Sequence, residues 1–111
     1  MQADKRRAHR VRVNLRARYR SDTCAMDAWV ANVSRAGLFI RADFLDSEGT
    51  TAAVEVEIPG SAPLHLDGEV VRVDASPSSA GMGIRFNHMA DPERRALANL
   101  MIERSCRPAT A

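Results

Sequence analysis

Residues 11–20 read VRVNLRARYR, and the fold follows from how that run alternates. Val11, Val13, Leu15, Ala17 and Tyr19 fall on one side, and Arg12, Asn14, Arg16, Arg18 and Arg20 on the other. Period two sustained over ten residues is the mark of a β-strand with one face buried and one wet. Most of these arginines therefore need no functional explanation, because they form the solvent side of a strand.

The same reading extends along the chain. "AMDAWVANVS" from Ala25 and "GLFIRA" from Gly37 read as the next two strands, joined by residues 32–37, "NVSRAG". "TTAAVEVEIP" alternates Val54, Val56 and Ile58 with Glu55 and Glu57 before Pro59-Gly60 ends it. "LHLDGEVVRVD" is a longer strand in which Gly68 marks either a bulge or a close backbone approach. "PSSAGMG" reads as a loop and "IRFNH" as the final strand, so six short strands occupy residues 11–88 with no helix between them. That pattern predicts an all-β domain, an antiparallel barrel or sandwich.

At Asp91-Pro92 the character changes. Asp caps a helix and Pro suits its first turn, after which Ala96, Leu97, Leu100 and Met101 share one face. One C-terminal helix is expected over residues 91–105, ending before Pro108, with its apolar stripe packed on the barrel.

The 111 residues suffice for one domain with a modest core, and 45% apolar with 27% charged residues is the composition of a globular chain. No signal peptide and no membrane span can be drawn, so a cytoplasmic address without membrane insertion is expected. Cys24 and Cys106 form no C-x-x-C pair, and His9, His65 and His88 are scattered. Free thiols, no metal site and no cofactor are expected. The net charge of +2 conceals an asymmetry: residues 1–20 carry +7 and the remainder −5. A cationic N-terminal segment on an acidic body invites an anionic partner.

Two features lie outside the alternating pattern. The first is "RRAHR", whose Arg6, Arg7 and Arg10 precede the opening strand. Arginine presents a flat, permanently charged fork that grips phosphate and can pair with the O6 and N7 edge of guanine. The second is the 32–37 connection. Asn32 can hydrogen-bond polar base edges, Ser34 adds a small donor and acceptor, and Gly37 allows close backbone approach. Together they suit a small anionic guanine nucleotide. Read separately, the basic tail is a solvated one, Asn32-x-Ser34 is a chance glycosylation sequon, and the turn is a plain hairpin corner.

Arg6-x-x-x-Arg10 with Arg7 between, followed by Asn32-x-Ser34-x-x-Gly37, resembles the two-part R-x-x-x-R and [D/N]-x-S-x-x-G signature of PilZ domains, bacterial receptors for cyclic di-GMP. "GEVVRVD" and "GMGIRF" are similar to late strands of that family, so the resemblance runs from about Lys5 to the terminal helix. It implies a six-stranded antiparallel β-barrel with a C-terminal helix. It also implies that Arg6 and Arg10 contact the guanines and phosphates, with Arg7 as an additional contact, and that Asn32, Ser34 and Gly37 line the guanine pocket. Asn32 stands where many members carry Asp, which implies weaker attraction for guanine N–H donors. Lys5 lies where members differ in binding one ligand molecule or an intercalated pair.

The mechanism so implied is a switch. The basic segment, residues 1–10, is expected to be flexible when unliganded and to be ordered by a dianionic ligand bridging it to the 32–37 loop, re-aiming a surface read by a downstream protein partner. A monomer or weak dimer is expected. Catalysis is disfavoured, since no Ser-His-Asp or Cys-His arrangement can be drawn. Asp43, Asp46, Glu55, Glu57, Asp67, Glu69 and Asp74 sit at loop or alternating positions that solvation explains. Two rivals remain: a ligand-independent PilZ-like adaptor, and a small nucleic-acid-binding barrel. The latter needs exposed aromatic platforms, whereas Tyr19, Phe39 and Phe86 read as core, and Trp29 reads either as core or as a residue that senses the site.

Overall fold

The computed structural model describes residues 10–105. Six strands, β1 (Val11–Ser21), β2 (Ala25–Val33), β3 (Gly37–Arg41), β4 (Thr51–Val56), β5 (Leu64–Asp74) and β6 (Gly81–Phe86), precede one helix, α1 (Asp91–Ser105). The strands close into an antiparallel barrel in the order β1-β2-β3-β6-β5-β4, with β4 pairing back onto β1. Closure leaves no unpaired sheet edge. No helix among the described residues is long and apolar enough to cross a membrane.

The alternation of β1 is realised except at Val13, which is half-buried at a register shift between Arg12 and Leu15. Val11, Leu15, Ala17 and Tyr19 are buried, while Arg12, Arg16, Arg18 and Arg20 are exposed. Their inward partners are Val30 and Val33 of β2, Leu38 and Ile40 of β3, Val54 and Val56 of β4, Leu66 and Val70 of β5, and Met82 and Ile84 of β6. Leu97 and Leu100 of α1 join this core, and the helix packs against β1 and β5. Asp91 and Glu93 in its first turn and Arg104 in its last complement the helix dipole.

Three assignments change. The final strand begins at Gly81, so Gly81, Met82 and Gly83 belong to β6 and not to a loop. Trp29 is not core but 45% exposed, and Phe39 is only half-buried on the outer surface. Asp46 is not solvated: it is a buried residue of the β3–β4 connection. There it accepts hydrogen bonds from Tyr19 Oη at 2.6 Å, from Ser21 Oγ at 2.6 Å and from Thr23 Oγ1. Burial alone would raise this carboxyl, but the three hydroxyls outweigh it and hold it below the usual range. Cys24 is a free thiol; Cys106 lies outside the described residues. Gly68 pairs regularly with Ala52 and Phe86, and an added Cβ would lie 2.4 Å from Arg85 O, so it marks a close approach.

Candidate functional site

The register of the barrel builds two rows across its outer face. In one, Arg12 stands opposite Asn32, Asn32 opposite Phe39, Phe39 opposite Gly83, and Gly83 opposite Arg72. In the other, Arg16 stands opposite Trp29, Trp29 opposite Arg41, Arg41 opposite Gly81, and Gly81 opposite Asp74. Both rows cross β6 at a glycine, so the centre of the surface is low and its sides are high. An open cleft of about 530 Å³ results, within the size range of ligand sites.

Bulges turn the walls of this cleft outward. Between Val30 and Asn32 one residue of β2, Ala31, has no counterpart on β3. Between Val70 and Arg72 one residue of β5, Val71, has none on β6. Strict alternation would send Asn32 and Arg72 into the core behind Val30 and Val70; the extra residue reverses the phase and brings both into the cleft.

The floor is aromatic and cationic. The Arg72 guanidinium lies 5.9 Å from the centroid of the Phe39 ring, and that of Arg16 lies 5.4 Å from the Trp29 ring. Gly81 admits the Phe39 ring, since a Cβ there would come within 2.7 Å of it. Among the described residues, Arg10, Arg12, Arg41 and Arg72 line the cleft against one carboxylate, Asp74. This is a positive concavity with planar faces, suited to an anion that carries aromatic bases.

The residues singled out in the sequence divide into three groups. Arg10 and Asn32 meet in this cleft. The Asn32 Oδ1 is buried and has no hydrogen-bond partner among the described residues, an orphan costing about 1–3 kcal/mol unless a donor reaches it. Ser34 and Gly37 are not on the cleft wall. Ser34 is buried and organises the turn, its Oγ accepting from the backbone N–H of Ala36 at 3.1 Å and of Gly37 at 3.3 Å. Gly37 packs so tightly on β6 that a Cβ would lie 2.1 Å from Ile84 O. Both set the position of Asn32. Arg6, Arg7 and Lys5, with the flexible segment expected there, lie outside the described residues. Phe39, Arg41, Arg72 and Asp74 went unnoticed as site residues in the sequence, because a non-sequential strand order and two bulges bring them together, while Trp29, open in the sequence between core and site, lines the cleft.

The family model of the PilZ domain matches residues 4–103. The barrel is similar to the PilZ domain of YcgR from Escherichia coli solved with c-di-GMP, with TM-score 0.75, 13% identity and coverage of 91% of this chain and 92% of that one. It is similar to the inhibitor of motility MotI/DgrA of Bacillus subtilis, with TM-score 0.74 and 18% identity over 94% of this chain, which spans only 51% of that protein. It also resembles the PilZ domain of CeSA from a cellulose-synthesizing bacterium, with TM-score 0.68, 11% identity and coverage of 86% and 97%. No curated protein sequence matches.

Proposed function

The chain belongs to the PilZ domain family, and from that membership and the chemistry of the cleft we propose that it is a cytoplasmic receptor for cyclic di-GMP that signals to a partner protein. The observation that carries this reading is the meeting of Arg10, from the first half of the signature, with Asn32, from the second, in one arginine-lined cleft. The unpartnered Asn32 Oδ1 is an acceptor waiting for a donor, and guanine supplies N1–H and N2–H.

Cyclic di-GMP carries two phosphates and two guanines. Arg10 and Arg12 on the β1 side would take phosphate or the guanine O6 and N7 edge, while Asn32 takes the Watson–Crick edge. Trp29 and Phe39 offer faces for base stacking. Arg6 and Arg7 would close over the ligand from the chain's N-terminal side. Occupancy would thereby re-aim that basic segment across the cleft, and the altered surface is the output. The ligand can shift the protein only by its differential affinity for the closed arrangement. No bond is made or broken in this scheme; the protein is a switch and not an enzyme.

The exposure of Trp29 gives the nucleic-acid reading an aromatic platform. Calorimetric titration separates these readings. Saturable binding of cyclic di-GMP, weakened about five- to 150-fold by Arg10→Ala and again by Asn32→Ala, with GTP inert, supports the receptor. Binding of single-stranded polynucleotides that falls steeply with salt, without preference for the cyclic dinucleotide, would replace it with the rival. Absence of binding to either would leave a ligand-independent adaptor.

A further inference from the structure

Resting on the receptor reading above, we infer that the far wall of the cleft, the end of β5, reads guanine: Asp74 accepts a hydrogen bond from the base edge while Arg72, laid on Phe39, supplies the face on which the base stacks. Neither residue belongs to the two sequence motifs. They reach the cleft because β5 neighbours β6 and β6 neighbours β3, so a strand 30 or more residues downstream forms the wall opposite Asn32.

The geometry is specific. Gly83 lies between Phe39 and Arg72, and a Cβ there would approach Arg72 Cβ to 3.2 Å. With hydrogen in its place, the arginine stem settles over the strand and the guanidinium covers the Phe39 ring. Arg72 and Phe39 both line the cleft, so the pair is open to a ligand there. A planar cation of this kind stacks readily on a purine.

Asp74 is half-buried at the cleft's end, opposite Gly81, with nothing but hydrogen on the β6 side to shield it. Its Oδ1 is occupied: the backbone N–H of Ser76 donates to it at 3.0 Å and the Ser76 hydroxyl also does so. Its Oδ2 has no hydrogen bond or ion pair among the described residues. The Ser76 hydroxyl and N–H, with Arg72 nearby, hold this carboxyl ionised, its pKa below the ordinary range. A lone carboxylate in a cleft meant for a dianion is repulsive unless it meets a donor edge. Guanine offers N1–H and N2–H on one edge, whereas adenine turns an acceptor, N1, toward the same point. Position 32 holds an amide, which is not confined to accepting as a carboxylate is. Asp74 would restore from the opposite wall the anionic selection that Asn32 lacks.

The test is the preference for cyclic di-GMP over cyclic di-AMP, which share one sugar–phosphate ring, measured by calorimetry on the full chain and on Asp74→Asn. The amide keeps Oδ1 as the acceptor for Ser76, so the turn survives, and it turns its NH2, a donor, toward the base in place of a carboxylate oxygen. The expected result is a preference for guanine in the native chain that falls about tenfold or more in Asp74→Asn, chiefly through weaker cyclic di-GMP binding. Arg72→Lys, which keeps the charge and loses the plane, should weaken both ligands together. If the native chain prefers guanine and Asp74→Asn keeps the same preference, Asp74 only caps the Ser76 turn and this inference is overturned while the receptor reading stands. If the native chain binds neither dinucleotide, the receptor reading itself fails and takes this one with it.

Discussion

Tyr19 donates its phenolic hydrogen to Asp46 Oδ2 across 2.6 Å, joining β1 to the β3–β4 connection over 27 residues of sequence. Both groups are buried. Removing the hydroxyl leaves the carboxylate with Ser21 and Thr23 only. Tyr19→Phe should therefore destabilise the barrel by about 1.5–3 kcal/mol, the range for a hydrogen bond to a charged group, as read by urea denaturation.

The same contact sets the response to pH. Asp46 is ionised more readily in the fold than in the unfolded chain, where a carboxyl titrates near about 3.9. Its contribution is thus complete above that value and is lost as pH falls through the lowered folded value. Tyr19 behaves oppositely: burial, and then Asp46, push its pKa above the ordinary value, so its contribution is present below about pH 10 and is lost as pH rises through the folded value. Stability measured from pH 6 down to pH 2 should fall along an acid limb, and Asp46→Asn should flatten that limb even though it lowers the plateau. An unchanged slope would remove Asp46 as its source.

Two glycines should respond differently to alanine. Gly37→Ala drives a Cβ against the Ile84 carbonyl, a backbone atom that cannot swing aside, and should cost about 1–3 kcal/mol or more by forcing β3 from β6. Gly83→Ala brings its Cβ to 3.2 Å from Arg72 Cβ, a crowding relieved by a shift of a few tenths of an ångström. Its melting temperature should stay close to native while cyclic di-GMP binding weakens, because the Arg72–Phe39 stack is displaced.

The opening strand announced itself because nothing interrupts the period of two between Leu15 and Arg20. The helix did so through Asp91-Pro92. Gly81 and Gly83 hid the start of β6, since glycine in sequence reads as a break, whereas here it makes room for Phe39 and Arg72. Asp46 was opaque for a different reason: "DFLDSEG" has every local property of a solvated loop, and only the barrel's closure brings Tyr19, Ser21 and Thr23 over it. Asn32 was legible through its motif. Its partners on β5 were not, because pairing of non-consecutive strands leaves no trace in local spacing, and a bulge of one residue reverses which side chains face out.

Trp29 is the chain's one tryptophan and stands at the rim of the cleft beneath the Arg16 guanidinium. Its emission should change saturably as cyclic di-GMP is added. Trp29→Ala should weaken binding by about 1–3 kcal/mol if a base stacks on the ring. Saturable binding without any change in emission would place the bases elsewhere.

The most direct test of the central claim is a map of backbone amide shifts in the ¹⁵N-labelled chain as cyclic di-GMP is titrated. The expected shifts gather on residues 10–14, 29–32, 39–41 and 72–74, the strands that wall the cleft, and vanish in Arg10→Ala at the same ligand concentration. Shifts confined to α1 and the β4–β5 connection, or none at saturating ligand, would contradict the assignment of this cleft as the site of cyclic di-GMP.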